Sequence, residues 1–198
     1  QRAGAFFINW LLDTFAGGRS DPTIFDRLEA EASRLPIGSN GVMVCSYLLG
    51  CMDPHWNEEA RATFTGMGPE TGKAQLYRAS LEAITLEFAR AIEQMRVADV
   101  EIDRIIVIGG GASSPLWVRM IADSTGLPVV RSHSNEASAL GAGVTAAVGA
   151  GWHPDFKSAL GAMARISERI EPDQASRSAW RTLSMRQAAV YDRLKDLP

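Results

Sequence analysis

A continuous apolar run that ends in three glycines most constrains what this chain can fold into. The run Ile105-Ile106-Val107-Ile108 contains only β-branched residues, which is typical of a strand covered on both faces. It leads directly into Gly109-Gly110-Gly111, where the backbone can turn sharply and a ligand can approach closely. Ser114 and Pro115 then suit the N-cap and the first position of a helix. The sequence therefore predicts a strand, a glycine loop and a helix in direct succession.

This unit has three interpretations. Unpaired loop amides and the positive end of the helix dipole together make a phosphate site. A tight turn that binds no ligand would need the same glycines. A dinucleotide site would need glycine at position 114 and an acidic residue closing the next strand, but the chain has Ser114 and Arg131-Ser132-His133 there. A Walker loop is excluded, because no glycine loop is followed by Gly-Lys-Ser/Thr.

The order of apolar patterns predicts an α/β fold. Apolar residues at helical spacing are most regular between Thr71 and Met95, which favours one long helix. Helices are predicted over residues 6–15, 21–36, 71–95, 115–122, 136–148 and 156–166 and from 173 on, and strands over 42–49, 62–65, 105–108 and 128–130.

Composition excludes several functional classes. A net charge of −3 without a basic cluster offers no attraction to nucleic acid or to anionic membranes. The apolar runs are far shorter than a membrane span, and no segment resembles a signal peptide. Cys45 and Cys51 lack the partners of a metal site, which predicts reduced thiols in a cytoplasmic protein. His55, His133 and His153 are scattered and are interpreted as solvated or capping residues.

A series of motifs, in order along the chain as far as about Gly151, resembles the C-terminal part of the FGGY carbohydrate kinases, and within them the xylulokinases. The motifs are Gly38-Ser39 with Gly41, Ala60-Arg61-Ala62 with Phe64-Thr65-Gly66, the segment from Gly109 to Trp117, Ile121-Ala122-Asp123, Gly126-Leu127-Pro128-Val129, and Glu136 with Ala139-Leu140-Gly141-Ala142.

The resemblance implies an actin-like ATPase fold of the ribonuclease-H-like type. Residues 1–198 would form the C-terminal, nucleotide-binding domain, incomplete at its N-terminal side, and the N-terminal sugar-binding domain would be missing. The parent would transfer the γ-phosphoryl group of ATP, with Mg²⁺, to a hydroxyl of a pentulose such as xylulose. The catalytic aspartate would precede this chain, which would contain no catalytic or metal-ligating residue and would be inactive alone. The expected partners are a sugar and the missing domain, with a homodimer as a candidate assembly in the cytoplasm.

The resemblance also assigns the nucleotide contacts residue by residue. The α-phosphate and the ribose would lie against the glycine loop, the adenine would border the start of the following helix, and a second glycine turn would flank the nucleotide. These residues are, in that order, Gly110, Gly111 and Ala112, then Ser114 or Pro115, and finally Gly66.

One loop departs from the family pattern. The chain has Cys51-Met52-Asp53-Pro54 where the family usually has Gly-Glu-Arg-Thr/Ser-Pro. This departure leaves two alternatives open. One is another FGGY kinase, of the glycerol, ribulose, fuculose or autoinducer type. The other is a non-catalytic nucleotide-binding or regulatory protein.

Overall fold

The computed structural model describes residues 4–52, 55–133 and 136–195, and about half of these residues are in α-helices. Within these ranges the helices are α1 (Gly4–Phe15), α2 (Ile24–Ala32), α3 (Lys73–Val97), α4 (Pro115–Thr125), α5 (Ala137–Gly149), α6 (Phe156–Met163) and α7 (Arg177–Leu194). The strands are β1 (Met43–Cys45), β2 (Thr63–Thr65), β3 (Ile105–Val107), β4 (Val129–Ser132) and β5 (Ile166–Ile170).

The long helix α3 is the centre of the molecule. Its N-terminal half is buried, with Tyr77, Leu81 and Ile84 in the core. Helices α1, α2 and α4 and strand β1 all pack against it. The periodicity that predicted a helix over 71–95 therefore also identified the element around which the core forms.

Two small sheets complete the fold. β1 and β2 pair antiparallel, with Val44 opposite Phe64. In the other sheet β4 lies in the middle, parallel to β3 and antiparallel to β5. The parallel pair β3 and β4 is joined through α4, as the α/β prediction requires.

The prediction that both faces of the strand over residues 105–108 are covered is wrong. The strand exists, but Ile106 is 58% and Ile108 is 55% exposed. β3 is an edge strand of its sheet, and its open face forms an apolar groove with Phe88 and Met95 of α3. The second half of α3 is accordingly more exposed than its regular apolar pattern suggested.

Two further boundaries differ from the predictions. The strand expected over 42–49 stops at Cys45, and the chain reaches Gly50 in a positive-φ turn. The helix expected over 156–166 ends at Met163, and β5 follows it. β5 was missed because only Ile170 of its residues is buried, so pairing with β4 rather than an apolar pattern stabilises it.

Two sequence predictions about composition can be compared with the described residues. Cys45 and Cys51 are free thiols, as predicted. Both are buried, and burial raises the pKa of Cys45 to about 12. None of the described helices combines the length and the apolar character that a membrane span needs.

Candidate functional site

The glycine loop has the predicted order of strand, turn and helix. After β3, Gly109 takes a φ of 74°, which a residue with a side chain rarely adopts. Residues 110–113 form one 3₁₀ turn, and Ser114 caps α4 by accepting a hydrogen bond from the Trp117 amide at 3.0 Å. Pro115 is the first residue of α4, where no backbone donor is required. The local prediction from Ser114 and Pro115 is therefore confirmed.

Two of the three predicted loop amides are open. Within the described part of the chain, the amides of Gly110 and Gly111 have no hydrogen-bond acceptor. The Ala112 amide instead donates to the Gly109 carbonyl at 3.0 Å. The expectation of a free donor at Ala112 is therefore wrong, because the 3₁₀ turn uses that amide to close itself. Gly110 and Gly111 remain as candidate donors to a phosphate.

The start of α4 is occupied by a carboxylate of the protein. Glu29 of α2 accepts hydrogen bonds at one oxygen from the Leu116 amide at 2.7 Å and from the Ser114 hydroxyl at 2.8 Å. The prediction that the positive end of this helix is free for a phosphate is therefore wrong. A carboxylate is stabilised at a helix N-terminus for the same electrostatic reason as a phosphate. Glu29 lies 85 residues before Ser114, so no local pattern indicated the contact.

A cavity of about 430 Å³ opens beside the loop. Its wall is made by α1, α2, the first half of α3, the loop itself and the start of α4. The apolar lining residues are Ala5, Ile8, Phe25, Leu81, Pro115 and Trp117, and the residues with polar side chains are Asn9, Asp26, Glu29, Tyr77, Ser113 and Ser114. Gly110 and Gly111 also line it, so the open amides and the cavity belong to one site.

The charge of the cavity is negative. Among the described residues that line it are two carboxylates, Asp26 and Glu29, and neither lysine nor arginine. The Tyr77 hydroxyl donates to Glu29 at 3.4 Å, and burial together with Glu29 raises the pKa of Tyr77. An uncharged planar ring with polar edges suits such a cavity, whereas a phosphate is repelled from its interior. The cavity interior therefore suits a ring, whereas an anion is better placed at the open amides of Gly110 and Gly111.

Gly66 packs against another turn and does not belong to the cavity wall. It follows β2 with a φ of 72°, and a Cβ at this position would overlap the carbonyl of Gly41. Glycine is therefore required here by close packing of two turns. Gly66 is not among the residues that line the cavity. Its assignment as a nucleotide contact remains a prediction.

The turn against which Gly66 packs is held by a buried carboxylate in α3. Glu82 accepts hydrogen bonds from the Gly38 amide at 3.0 Å and the Ser39 hydroxyl at 2.9 Å. Arg78 donates to the same carboxylate at 2.9 Å. Ser39 and Asn40 both have positive φ, a conformation that side chains disfavour and that these contacts stabilise. Glu82 therefore positions the turn beneath Gly66.

The remaining predicted features lie outside the cavity. Asp53, in the loop that departs from the family pattern, is outside the described residues. Asp123 is buried and accepts a hydrogen bond from the Asp173 amide at 2.8 Å. Helix α5 packs mainly against α6 and contributes no residue to the cavity wall. Among the described residues no cluster of three potential metal ligands is found.

Sequence reasoning missed most of the polar residues of the cavity. Asn9, Asp26 and Glu29 lie on α1 and α2, whose sequences resemble ordinary amphipathic helices. Asp26 and Glu29 are three residues apart and so share one face of α2, which is a weak signal for two carboxylates facing one site. The partners of Glu29 are Tyr77, Ser114 and Leu116, which are distant in the sequence, so only the tertiary structure could identify the contact.

Comparison with known proteins decides the family. The sequence model for the C-terminal domain of the FGGY family of carbohydrate kinases matches residues 1–150. The chain belongs to the FGGY family of carbohydrate kinases. The part that matches contains both glycine turns, the cavity and α1 to α4.

Curated FGGY relatives include xylulose and glycerol kinases. The xylulose kinase of Staphylococcus epidermidis (strain ATCC 12228 / FDA PCI 1200) is 31% identical over 98% of this chain. That of Bacillus subtilis (strain 168) is 29% identical over 98% of this chain, and the glycerol kinase of Deinococcus radiodurans is 35% identical over 75%. The chain spans 38% of the length of the two xylulose kinases.

Solved structures give the same fold. The xylulose kinase from Rhodospirillum rubrum has a TM-score of 0.82 and 29% identity, and the match covers 96% of this chain and 38% of that protein. The glycerol kinase of Plasmodium falciparum, solved with ADP, has a TM-score of 0.73 at 20% identity, covering 97% of this chain and 37% of that protein. The chain therefore has part of the actin-like ATPase fold of the FGGY sugar kinases, as the sequence predicted.

Proposed function

We propose that this chain is the nucleotide-binding part of an ATP-dependent sugar kinase. The observation that carries the proposal is the pair of open amides at Gly110 and Gly111 beside a cavity of about 430 Å³. Membership of the FGGY family supports ATP as the phosphoryl donor. The ADP in the glycerol kinase of Plasmodium falciparum, a protein of the same fold, agrees with this choice.

The nucleotide takes one orientation in this proposal. Its nucleoside part enters the cavity, where Asn9 and Asp26 can hydrogen bond to the polar edge of a base or to ribose hydroxyls. Its first phosphate stays at the glycine loop, on the edge of the cavity away from the carboxylates, and accepts hydrogen bonds from Gly110 and Gly111. The reverse orientation would bring phosphates against Asp26 and Glu29, which the like charge disfavours.

The phosphoryl acceptor is a sugar, and xylulose is the proposed one. Xylulose kinases are among the relatives that align with almost the whole chain, whereas the glycerol kinase of Deinococcus radiodurans aligns with 75% of it. Mg²⁺ would accompany ATP, because a divalent cation neutralises the charge that develops during phosphoryl transfer. The residues that bind the sugar and remove its proton belong to the part of the kinase outside this chain. We also propose that the protein acts in the cytoplasm.

Calorimetric titration with ADP and with ATP, each with Mg²⁺, tests nucleotide binding. Gly110→Val should weaken binding about tenfold or more, because the new side chain occupies ligand space while a Cβ at Gly110 meets no protein atom within 4 Å. The matched control is Gly141→Ala in α5, where a Cβ is equally free of neighbours. This control should bind like the wild type and be slightly more stable.

Two results would contradict the proposal. Absence of any heat from nucleotide at millimolar concentration would favour the non-catalytic alternative over a kinase. Unchanged affinity in Gly110→Val would show that the nucleotide does not lie against the loop. The acceptor is tested separately, by comparing phosphorylation of xylulose, ribulose and glycerol by the full-length protein, and a preference for glycerol would overturn the choice of xylulose.

A further inference from the structure

Glu29 connects two walls of the cavity through the contacts of its carboxylate. One oxygen accepts hydrogen bonds from the Leu116 amide at 2.7 Å and the Ser114 hydroxyl at 2.8 Å. The other oxygen lies 2.7 Å from the same hydroxyl and 3.4 Å from the hydroxyl of Tyr77. These contacts join α2, α3 and the start of α4 at one point. Glu29 itself is partly buried and lines the cavity.

The contacts of Glu29 continue to the open amides of the loop. Ser114 donates to Glu29 and accepts from the Trp117 amide at 3.0 Å, so its hydroxyl is held from both sides. The indole of Trp117 in turn packs against Gly111, where a Cβ would lie only 2.9 Å from the ring. The Trp117 ring nitrogen donates to Thr85 of α3 at 3.1 Å, which fixes the ring. The contacts of Glu29 thus continue through Ser114 and Trp117 to the backbone of Gly111.

The hydrogen bonds of Glu29 also decide where an anion can bind. Its carboxylate and Ser114 satisfy the donors of the first turn of α4, so that this helix end offers nothing to a phosphate. The nearest open donors are then Gly110 and Gly111. Glu29 thus occupies the N-terminus of α4 and leaves the amides of Gly110 and Gly111 as the place for an anion.

We propose that Glu29 is a positioning residue of the nucleotide site, an inference that rests on the proposed function. It acts through Ser114 and Trp117 and does not itself touch the phosphates. The hydrogen bonds of Glu29 to the protein set the affinity for the nucleotide, and a direct effect of its charge on the ligand does not. Glutamine can keep the accepting oxygen that serves both Leu116 and Ser114, whereas alanine removes every contact.

The test measures ADP binding by calorimetry and the ATP dependence of the full-length kinase. Glu29→Ala should weaken ADP binding about tenfold and raise the KM for ATP by a similar factor, with kcat changed less than about threefold. Glu29→Gln should retain affinity within about threefold of the wild type. The control is Asp155→Ala, which removes the cap of α6, where Asp155 accepts from the Ser158 amide at 2.7 Å. This variant also loses a helix cap and should bind ADP like the wild type.

Each other outcome overturns the proposal. Wild-type affinity in Glu29→Ala would show that the loop does not depend on Glu29. Equal losses in Glu29→Gln and Glu29→Ala would show that the charge itself acts on the ligand. A loss in Asp155→Ala as large as that in Glu29→Ala would show a general effect of destabilisation. If the wild type binds no ADP, both the proposed function and this inference fail. If the wild type binds ADP and Glu29→Ala binds it equally well, only this inference fails.

Discussion

Gly110 and Gly111 are adjacent in the chain but have different surroundings. A Cβ on Gly110 meets open space, whereas one on Gly111 would lie 2.9 Å from the buried ring of Trp117. Trp117 cannot yield easily, because its ring nitrogen is hydrogen bonded to Thr85. One glycine is therefore free to face a ligand, and the other is also required by the core.

Gly111→Ala should lower the free energy of unfolding by about 1–3 kcal/mol, the usual cost of overpacking a core. Gly110→Ala should change it by less than about 0.5 kcal/mol, since no protein atom is near. Urea unfolding of the two variants measures the difference. Equal stabilities would contradict the packing of Trp117 on the loop.

Helix α7 packs against the loop before β2 through aromatic contacts. The ring of His55 stacks on Tyr191 with centroids 3.7 Å apart, and Tyr47 meets the same tyrosine edge to face at 5.6 Å. Burial, and next the positive charge of Arg90, lower the pKa of His55. The contact between the loop and α7 is therefore best satisfied by a neutral imidazole.

This contact should make the stability of the protein depend on pH. Because the pKa of His55 is lower in the folded state, the unfolded chain takes up the proton first as the pH falls. The free energy of unfolding should therefore decrease between roughly pH 7 and pH 5, and His55→Gln should remove part of that decrease. Thermal unfolding at several pH values measures it. An unchanged pH dependence in His55→Gln would contradict the burial of this ring against Tyr191.

Where a helix, strand or turn depends only on residues next to it in the sequence, it was predictable. The strand, loop and helix from Ile105 to Trp117 were predicted correctly, because glycines, the N-cap and proline act locally. Burial of β3 and the existence of β5 were not, since both depend on which strands pair. The role of Glu29 depends on a contact across 85 positions, which periodicity does not reveal. The family resemblance identified the loop but not the carboxylate that supports it.

At the scale of the whole molecule, the described structure presents two different surfaces beside the glycine loop. One is the acidic cavity between α1, α2 and α3. The other is the apolar groove between α3 and β3, where Ile106 and Ile108 are exposed. Trp117 and Gly111 line both. The loop thus lies at the junction of the two surfaces.

The central claim is that the amides of Gly110 and Gly111 bind the first phosphate of the nucleotide, and glycine-selective ¹⁵N labelling tests it most directly. The chain has 18 glycines, and single substitutions at 110, 111, 126 and 141 assign the four signals that matter. Titration with ADP should move the Gly110 and Gly111 amide resonances strongly, with little change at Gly126 and Gly141. Adenosine should move them much less, because it lacks the phosphate. ADP binding that leaves both loop amides unmoved would contradict the account.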